Sequence, residues 1–447
     1  MAIPVPATDL QNAPDFVFEK YTFDGESGVL SLYYRFDSGP SFIETIRFPD
    51  APLLDGPRKT AADRAFALIF WLAGVSYYKA YAAGVRIPPS PPSESTAAFL
   101  QKVYTKGLAE FAYENGIDIR TRVHILGEGT TQPAPSIGLQ PRALVPVGGG
   151  KDSIVSLEAL KAAGKDITLF ALGGPSGAAQ PIAETIRVSG LPYIFVERTL
   201  SPEIKKLNDK GALNGHVPIT AILSAIAAAC AVLYDFRDVI LSNEHSASAP
   251  NIIDADWDIN HQYSKSYAFE RDFADILKTD VAADLRYFSL LRPLTEAAIA
   301  KRFAAYSDYH GIFRSCNTAF KQDVNARGKK WCNDCPKCRF VFLALAPFTE
   351  KQHLTQIFGA DPLNEVSQTL GYQQLCGLAD YKPFECVGEI SESKLLMEAL
   401  SRNPVWKDDA NVIVCAEKTQ NFAQDFAALF EAKPDHLVPA DYITVIA

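Results

Sequence analysis

The first hydrophobic pattern along the chain is that of β-strands. Apolar side chains form short runs at residues 16–18, 30–36 and 43–46, and turn-forming residues at 24–25 and 38–40 separate them. Alternating apolar and polar positions are typical of strands that bury one face. These runs therefore predict a small antiparallel sheet at the start of the chain.

The pattern then changes to helical spacing. Apolar residues recur three or four positions apart from residue 60 to residue 84, and a second helix is predicted over residues 94–115. Residues 127–141 are rich in Gly, Pro and Thr, which is typical of a linker. Residues 1–140 are thus expected to form an α+β domain without recognisable chemistry.

Beyond residue 141, strand and helix patterns alternate. Strands are predicted at residues 143–147, 167–172, 192–196 and 238–242, and helices at 153–163, 178–189 and 217–234. This alternation predicts an α/β fold built on a doubly wound parallel sheet. Such sheets bind ligands beyond the carboxyl ends of their strands, so the residues that follow each strand are the candidates for chemistry.

Three consecutive glycines follow the first of these strands. Gly148, Gly149 and Gly150 lead directly into a predicted helix that begins with Lys-Asp-Ser. Glycines let backbone N–H groups approach an anion closely, and a helix N-terminus adds partial positive charge. The segment therefore predicts a phosphate cradle, to which Lys151 adds a point charge and Ser153 a hydroxyl donor. The alternative is a tight turn that holds no ligand.

Residues 148–153, which read GGGKDS, are not a Walker A loop, because that loop places four residues between its first glycine and a Gly-Lys-Ser/Thr ending. They resemble the PP-loop motif SGGxDS of the ATP-pyrophosphatase superfamily, with Gly148 in place of the usual serine. The resemblance implies a PP-loop fold like that of the adenine nucleotide alpha hydrolases. It also implies cleavage of ATP between its α- and β-phosphates, transfer of AMP to an oxygen acceptor, and adenine held near Ala171 and Leu172. An ATP triphosphate implies Mg²⁺, and Asp152 is expected either to help hold that ion or to cap the helix.

Polar side chains follow the last strand of this series. Asn243 and His245 come directly after it and are expected at the same crevice. A polar loop then carries His261, Tyr263 and Lys265, and long loops after strand ends commonly contact substrates. The alternatives are a capped turn for the first two residues and a solvated surface loop for the other three.

A cysteine cluster is the second strong signal. Cys332, Cys335 and Cys338 have CxxCxxC spacing, and Cys316 lies upstream. Four thiolates on closely spaced turns suit a structural, tetrahedral Zn²⁺. An iron–sulfur cluster, and free thiols or redox-active disulfides, are the alternatives. A buried thiol is the expected state of the four remaining, scattered cysteines, which are Cys230, Cys376, Cys386 and Cys415.

Length and charge limit these hypotheses. The 447 residues are enough for three predicted parts, an α+β domain over 1–140, a PP-loop domain over 141–310 and a helical, cysteine-rich region over 311–447. A strand-like run at 442–446 ends the last part. A net charge of −9 argues against broad binding of nucleic acid. Residues 217–234 fit a buried helix better than a membrane span, and no signal peptide is recognised, so a cytoplasmic protein is expected.

Four stretches together resemble a narrower family, the UDP-N-acetyl-α-D-muramoyl-L-alanyl-L-glutamate epimerases. They are residues 145–153, 241–251, 262–266 and 331–338. The resemblance implies an isomerase that inverts the terminal L-Glu of UDP-N-acetylmuramoyl-L-Ala-L-Glu to D-Glu during peptidoglycan precursor synthesis. ATP would adenylate the α-carboxylate, the activated Cα would lose and regain a proton, and hydrolysis would release AMP.

Under this resemblance, the glycine turn holds pyrophosphate and Lys151 counters the charge that develops in the transition state. His245 is the first candidate for proton transfer, because the pKa of histidine lies near neutrality. A structural, hydrogen-bonded histidine is the alternative. Inversion favours a second group on the opposite face of Cα, and His261, Tyr263 and Lys265 are the pool from which it would come.

Two other classes of function stay open at this point. A different PP-loop enzyme, such as a 7-cyano-7-deazaguanine synthase or a tRNA-modifying enzyme, would share the adenylation step. A non-catalytic ATP-binding regulator with a zinc module would bind nucleotide without releasing pyrophosphate. Pyrophosphate release that depends on a carboxylate substrate separates an enzyme from a regulator.

Overall fold

The computed structural model describes residues 13–87, 91–129, 133–254, 257–320, 328, 331–419 and 425–446. Parts of the predicted domains 1–140 and 311–447, and of the predicted linker, lie outside these ranges. The strands are β1 (Phe16–Asp24), β2 (Val29–Phe36), β3 (Ser41–Arg47), β4 (Val85–Arg86), β5 (Ala143–Pro146), β6 (Ile167–Gly173), β7 (Tyr193–Thr199), β8 (Asp238–Leu241), β9 (Ile252–Asp254), β10 (Trp257–Ile259) and β11 (Arg286–Ser289).

Sixteen α-helices lie in the described chain. They are α1 (Gly56–Ala73), α2 (Val75–Tyr78), α3 (Glu94–Lys106), α4 (Ala109–Glu114), α5 (Lys151–Ala162), α6 (Gln180–Ser189), α7 (Pro202–Asp209), α8 (Ile219–Tyr234), α9 (Tyr267–Ile276), α10 (Glu296–Phe303), α11 (Pro336–Leu345), α12 (Lys351–Phe358), α13 (Thr369–Leu375), α14 (Ile390–Ser401), α15 (Ala410–Thr419) and α16 (Ala440–Ile443).

Nine strands form one sheet, in the order β11-β8-β5-β6-β7-β3-β2-β1-β4. The first five strands of this order run parallel to one another. Strand β5 lies between β6 and β8, so the chain winds outwards from it in both directions. The predicted α/β class with a parallel sheet is confirmed. The crevice beyond the carboxyl ends of β5 and β8 is the switch point at which such sheets bind ligands.

The predicted antiparallel strands at the start of the chain are also confirmed, and they extend the same sheet. Strand β3 pairs antiparallel with β7, so β1, β2 and β3 continue the parallel half without a break. A buried ion pair strengthens this seam, because the Arg198 guanidinium on β7 lies 2.7 Å from the Glu44 carboxylate on β3. The Tyr77 hydroxyl donates to the same carboxylate at 2.8 Å.

Apolar side chains pack on both faces of the sheet. Helix α8 lies on one face, and its alanine-rich sequence is almost entirely buried against α1 and the sheet. The apolar stretch at 217–234 is therefore a buried core helix, as predicted. Helix α5 and the C-terminal helices α10 and α11 share the second core. In the part of the chain that the structure describes, no helix combines the length and apolar character needed to span a bilayer.

One prediction about the secondary structure is wrong. The strand-like run at 442–446 is not a strand, because helix α16 covers its first two residues. Pro439 takes the N-cap position of this helix, and the Tyr442 side chain turns inwards, where its hydroxyl donates to Asp238 at 2.8 Å. Strand β11 was not predicted, since its four residues carry no clear alternation.

Candidate functional site

The glycine turn lies between β5 and α5 and depends on glycine at one position above all. Gly149 has φ of +76°, and a Cβ there would lie 2.7 Å from the backbone carbonyl carbon of Pro181 on α6. A side chain is therefore excluded both by backbone strain and by contact. Gly150 takes the N-cap position of α5, so the N–H groups of the first helical turn point towards the turn. The local geometry fits an anion site at a helix N-terminus.

Two carboxylates surround the amino group of Lys151, the first residue of α5. Its Nζ donates to Asp152 and to Glu296, which begins α10. Lys151 and Glu296 are both buried. Burial alone would lower the pKa of Lys151, but the two carboxylates raise it above its usual value. The ammonium group therefore stays charged at the edge of the glycine turn.

A cavity of about 280 Å³ opens over the turn and α5. Asn243 and Glu244, which follow β8, line it together with Lys265 from the short turn after β10. Asn243 and Glu244 meet the glycine turn because β5 and β8 are neighbours in the sheet. We call this space the nucleotide cavity, after the ligand that the sequence motif predicts. Its other lining residues include Gly148, Gly150, Lys151, Asp152, Ser153, Glu296, Arg314, Ser315, Lys337 and Cys386.

The cysteine cluster stands next to this cavity. The thiol sulfurs of Cys316, Cys332, Cys335 and Cys338 all lie within 4.8 Å of one another. The sequence prediction that these four residues form one cluster is therefore borne out by the geometry. The segment before the first cysteine and the helix α11 after the third both line the nucleotide cavity, through Ser315 and through residues of α11.

A second cavity of about 660 Å³ adjoins the first. The two share lining residues, among them Thr220, Gln262 and Lys265. Most of the charged side chains in its lining are cationic, namely Lys79, Arg198, Lys205, Lys265 and Lys337, and one is the carboxylate of Glu385. We call this space the basic cavity. Its lining combines residues from the first 140 with residues near the C-terminus, so the fold as a whole builds it.

Known proteins match this chain along most of its length. The family model described as "MurL N-terminal domain" matches residues 7–290, and the family model described as "MurL C-terminal domain" matches residues 312–429. A protein of Xanthomonas oryzae pv. oryzae named UDP-N-acetyl-alpha-D-muramoyl-L-alanyl-L-glutamate epimerase is 44% identical, over 91% of this chain and 90% of its own. Proteins with the same name from Salinispora tropica and a Micromonospora species are 41% and 39% identical, over 90% and 99% of this chain and 88% and 100% of their own.

The chain belongs to this epimerase family. The resemblance that the sequence motifs indicated is thereby confirmed. Within this family member, the predicted site residues divide into two groups. Gly148, Gly150, Lys151, Asp152, Ser153, Asn243 and Lys265 line the nucleotide cavity. Gly149 forms the turn itself.

The remaining predicted residues lie elsewhere. His245 lines a separate cavity of about 240 Å³, together with Glu389 and Glu392. Tyr263 is buried against Phe269, and burial raises the pKa of its hydroxyl. The structure therefore does not bring His245 and Tyr263 to the glycine turn. Their proton-transfer roles stay predictions without geometric support.

The two residues predicted for adenine are on β6, beside the turn. Ala171 is fully buried and Leu172 is partly buried, and neither lines the nucleotide cavity. Strand β6 does pair with β5, and the Val147 N–H donates to the Phe170 carbonyl at 2.9 Å. The predicted proximity to the glycine turn is confirmed, whereas contact with adenine stays a prediction. Asp152 does not occupy the N-cap position of α5, which belongs to Gly150.

Several residues of the site have roles that the sequence did not predict. Cys386, expected to be an ordinary buried thiol, is partly exposed and lines both cavities. Arg292 is fully buried and donates to the carbonyl oxygens of Glu244 and Lys265 while its guanidinium pairs with Glu270 at 2.8 Å. It thereby holds two cavity-lining segments together. Glu296, which pairs with Lys151, was also not predicted. A sequence signal existed only for this residue, because Thr295 caps α10 and so marks the start of the helix that carries Glu296.

Proposed function

We propose that this protein inverts the terminal L-Glu of UDP-N-acetylmuramoyl-L-Ala-L-Glu to D-Glu at the expense of ATP, which it converts to AMP and pyrophosphate. The observation that carries this proposal is that the nucleotide cavity and the basic cavity share one junction, lined by Gln262, Lys265, Lys337 and Cys386. Two anionic substrates can occupy the two cavities and meet there. Family membership supports the choice of substrate.

The glycine turn is the proposed site of the leaving pyrophosphate. Its N–H groups and the N-terminus of α5 provide donors and partial positive charge. Lys151 adds a permanent positive charge that can balance the charge developing on the leaving group. Asn243 and Ser153 supply further polar groups to the same cavity.

Mg²⁺ fits the acidic side of the nucleotide cavity, because carboxylate oxygens are the ligands that this ion prefers. Asp152, Glu244 and Glu296 all line it. We propose that Asp152 and Glu244 hold Mg²⁺ when ATP is bound, where the ion would offset the charge of the phosphates. Glu296 is engaged by Lys151 and is assigned to holding that side chain in place.

The basic cavity is the proposed site of the UDP-N-acetylmuramoyl-dipeptide. Its cations match the diphosphate of a nucleotide sugar, and its volume of about 660 Å³ lies in the range of small-molecule sites. The glutamate end would then reach the junction with its α-carboxylate towards ATP. An acyl-adenylate formed there loses the negative charge of the carboxylate, which makes the neighbouring Cα–H far more acidic.

The cysteine cluster fits a structural Zn²⁺. Four thiols that approach within 4.8 Å of one another provide a complete tetrahedral ligand set and leave no position for a substrate. We propose that Cys316, Cys332, Cys335 and Cys338 bind Zn²⁺ and so hold the segment and helix that line the nucleotide cavity. The ion would supply cross-linking and no chemistry of its own.

The direct test is incubation of the protein with ATP, Mg²⁺ and UDP-N-acetylmuramoyl-L-Ala-L-Glu. We expect AMP, pyrophosphate and, after acid hydrolysis, D-Glu by chiral chromatography. The variants Lys151→Ala and Asp152→Ala are expected to form none of the three, and Lys59→Ala, on the surface of α1, serves as the control. ADP as the nucleotide product would contradict the proposal. Pyrophosphate without D-Glu would point to another adenylating enzyme.

A further inference from the structure

Cys386 lies at the junction of the two cavities. It belongs to the segment between α13 and α14, and it lines both the nucleotide cavity and the basic cavity. The three other cysteines outside the cysteine cluster, which are Cys230, Cys376 and Cys415, are buried in the cores. Cys386 therefore differs from them in facing the space where the two substrates would meet.

Two cationic side chains contact this thiol. The Lys265 ammonium lies 3.1 Å from the Cys386 sulfur, and His261 hydrogen-bonds the same sulfur. The Nδ1 atom of His261 also hydrogen-bonds the carboxylate of Glu110, a buried residue of α4. Cys386, His261 and Glu110 thus form a chain in which each member orients the next. This is the general arrangement of an activated nucleophile or base.

We propose that Cys386 is a proton-transfer group of the epimerisation, acting on the Cα of the activated glutamate at the junction, with His261 and Glu110 as its positioning residues. The proposal rests on the proposed function and assigns one of its chemical steps. In this role Cys386 replaces His245 and Tyr263, which the fold places elsewhere. Unlike them, Cys386 lines both cavities.

The step balances without an external oxidant or reductant. The Cα–H bond of the acyl-adenylate breaks, its proton forms an S–H bond on Cys386, and the electron pair delocalises into the carbonyl of the mixed anhydride as an enolate. Protonation of the opposite face, by a group other than Cys386, converts that electron pair into a C–H bond of inverted configuration. Hydrolysis of the anhydride then releases AMP.

The electrostatics of the junction agree with this assignment. Burial alone would raise the pKa of Cys386, but the ammonium groups of Lys265 and Lys337 and the hydrogen bond from His261 lower it to about 6. Burial without such partners has the opposite effect, since it raises the pKa of Cys230 well above its usual value. A proton-transfer group is most effective when its pKa lies near the operating pH.

The experiment separates adenylation from proton transfer in the full-length protein. Exchange of labelled pyrophosphate into ATP, in the presence of UDP-N-acetylmuramoyl-L-Ala-L-Glu, reports adenylation. Deuterium uptake at the glutamate Cα from D₂O, measured by mass spectrometry, reports proton transfer. For Cys386→Ser we expect deuterium uptake and D-Glu formation to fall by at least ~100-fold, the contribution of a positioned acid–base group, while pyrophosphate exchange continues. Cys230→Ala, a buried thiol on the alanine-rich α8, is the matched control.

Two results would overturn the assignment. One is a folded Cys386→Ser protein that takes up deuterium at the wild-type rate. The other is a folded Cys386→Ser protein that has lost both pyrophosphate exchange and deuterium uptake. Thermal melting shows whether the variant is folded. If it is not, alkylation of Cys386 in the wild-type protein, followed by the same two assays, replaces it. Absence of pyrophosphate exchange in the untreated wild type would instead contradict the proposed function.

Discussion

The backbone N–H of Arg314 donates a hydrogen bond to the carbonyl oxygen of Gly149 across 2.9 Å. Arg314 lies two residues before Cys316, so this bond attaches the cysteine-cluster segment to the glycine turn. The guanidinium of Arg314 also lies 5.8 Å from the ring centroid of Trp331, which precedes Cys332. The cysteine-cluster segment and the glycine turn are therefore in direct contact. Loss of order in the cysteine-cluster segment should therefore also destabilise the conformation of the glycine turn.

Removal of a cluster thiol tests this coupling. We expect Cys335→Ser to lose bound metal, to melt at a lower temperature and to bind ATP more weakly, because the segment around Arg314 would no longer be held against the turn. Metal content by mass spectrometry and ATP affinity by calorimetry are the measurements. Cys415→Ala, which removes a buried thiol of α15, is the control. A metal-free variant with unchanged ATP affinity would show that the two features are independent.

Replacement of Gly149 by alanine should damage the turn itself. The positive φ costs a side chain about 1–2 kcal/mol, and the contact with Pro181 adds to that cost. Gly164→Ala is a matched control, because Gly164 also has a positive φ of +64° but nothing lies within 4 Å of an added Cβ. We expect both variants to lose stability in urea unfolding and Gly149→Ala alone to lose ATP binding. Equal ATP affinity in the two would argue against the turn as the phosphate site.

The buried pair of Arg292 and Glu270 should be important for stability. Arg292→Ala leaves an uncompensated carboxylate in the core, which costs about 3–5 kcal/mol. Arg271 is on the same helix as Glu270, but its side chain is 53% exposed where it pairs with Asp272, so Arg271→Ala should change stability by about 0–1 kcal/mol. Urea unfolding of the two variants measures the difference. Comparable losses in both would mean that Arg292 does not hold the segments that carry Glu244 and Lys265.

Alkylation of Cys386 should show an unusual pH dependence. The thiolate is the reactive form, and its pKa of about 6 lies below that of an ordinary cysteine, near 8.5. The rate with iodoacetamide should therefore rise as the pH increases through about 6 and be nearly constant above 7. Lys265, Lys337, His261 and Lys382 are the charged groups that act on this thiol. Peptide mapping identifies the modified residue.

Substitution of Lys265 checks the cause of that shift. In Lys265→Met the pH at half-maximal alkylation should move upwards, towards the value of an ordinary thiol, because one ammonium group no longer favours the thiolate. An unchanged profile would mean that Lys265 does not stabilise it. Cysteines buried in the cores, such as Cys230, should react slowly at every pH tested, since burial raises the pKa of that thiol and excludes the reagent.

Lys79 gives a test of the basic cavity. Its ammonium donates to the neutral oxygens of Asn214 and Gly215, and burial lowers its pKa, so an anionic ligand would stabilise its charge. We expect Lys79→Gln to raise the KM for the UDP-linked substrate by about 10-fold, equivalent to about 1.4 kcal/mol, without a change in ATP affinity. Lys59→Gln, on the exposed surface of α1, should change neither. An effect on ATP alone would mean that the two cavities are assigned the wrong way round.

The sequence predicts those features whose residues are close together along the chain. Gly148 to Ser153 form one segment, so strand, turn and helix start follow from a single motif. Asn243 could be placed at the site because residues that follow parallel strands lie at one edge of the sheet. Lys265 could be placed there because long polar loops after strand ends commonly contact substrates. The same rule failed for His245, since a short turn begins at that residue and directs it into another cavity.

The contacts that the sequence did not predict form only through tertiary packing. Glu110, His261 and Cys386 are more than one hundred positions apart in each step, and no motif connects them. Glu296 reaches Lys151 because α10 packs on α5. Composition could not identify Cys386 either, because a lone cysteine is by default a small apolar residue. Its surroundings, rather than its neighbours in the sequence, determine its chemistry.

The continuous pairing of β3 with β7 has a consequence for any attempt to divide this protein. Ser76 and Lys79, from the N-terminal third, lie on the same cavity as Arg198, whose carboxylate partner Glu44 is also N-terminal. A fragment starting at the glycine turn would keep the half proposed to bind phosphate and lose one side of the chamber proposed for the acceptor. Such a truncation would keep the proposed donor site and lose the proposed acceptor site.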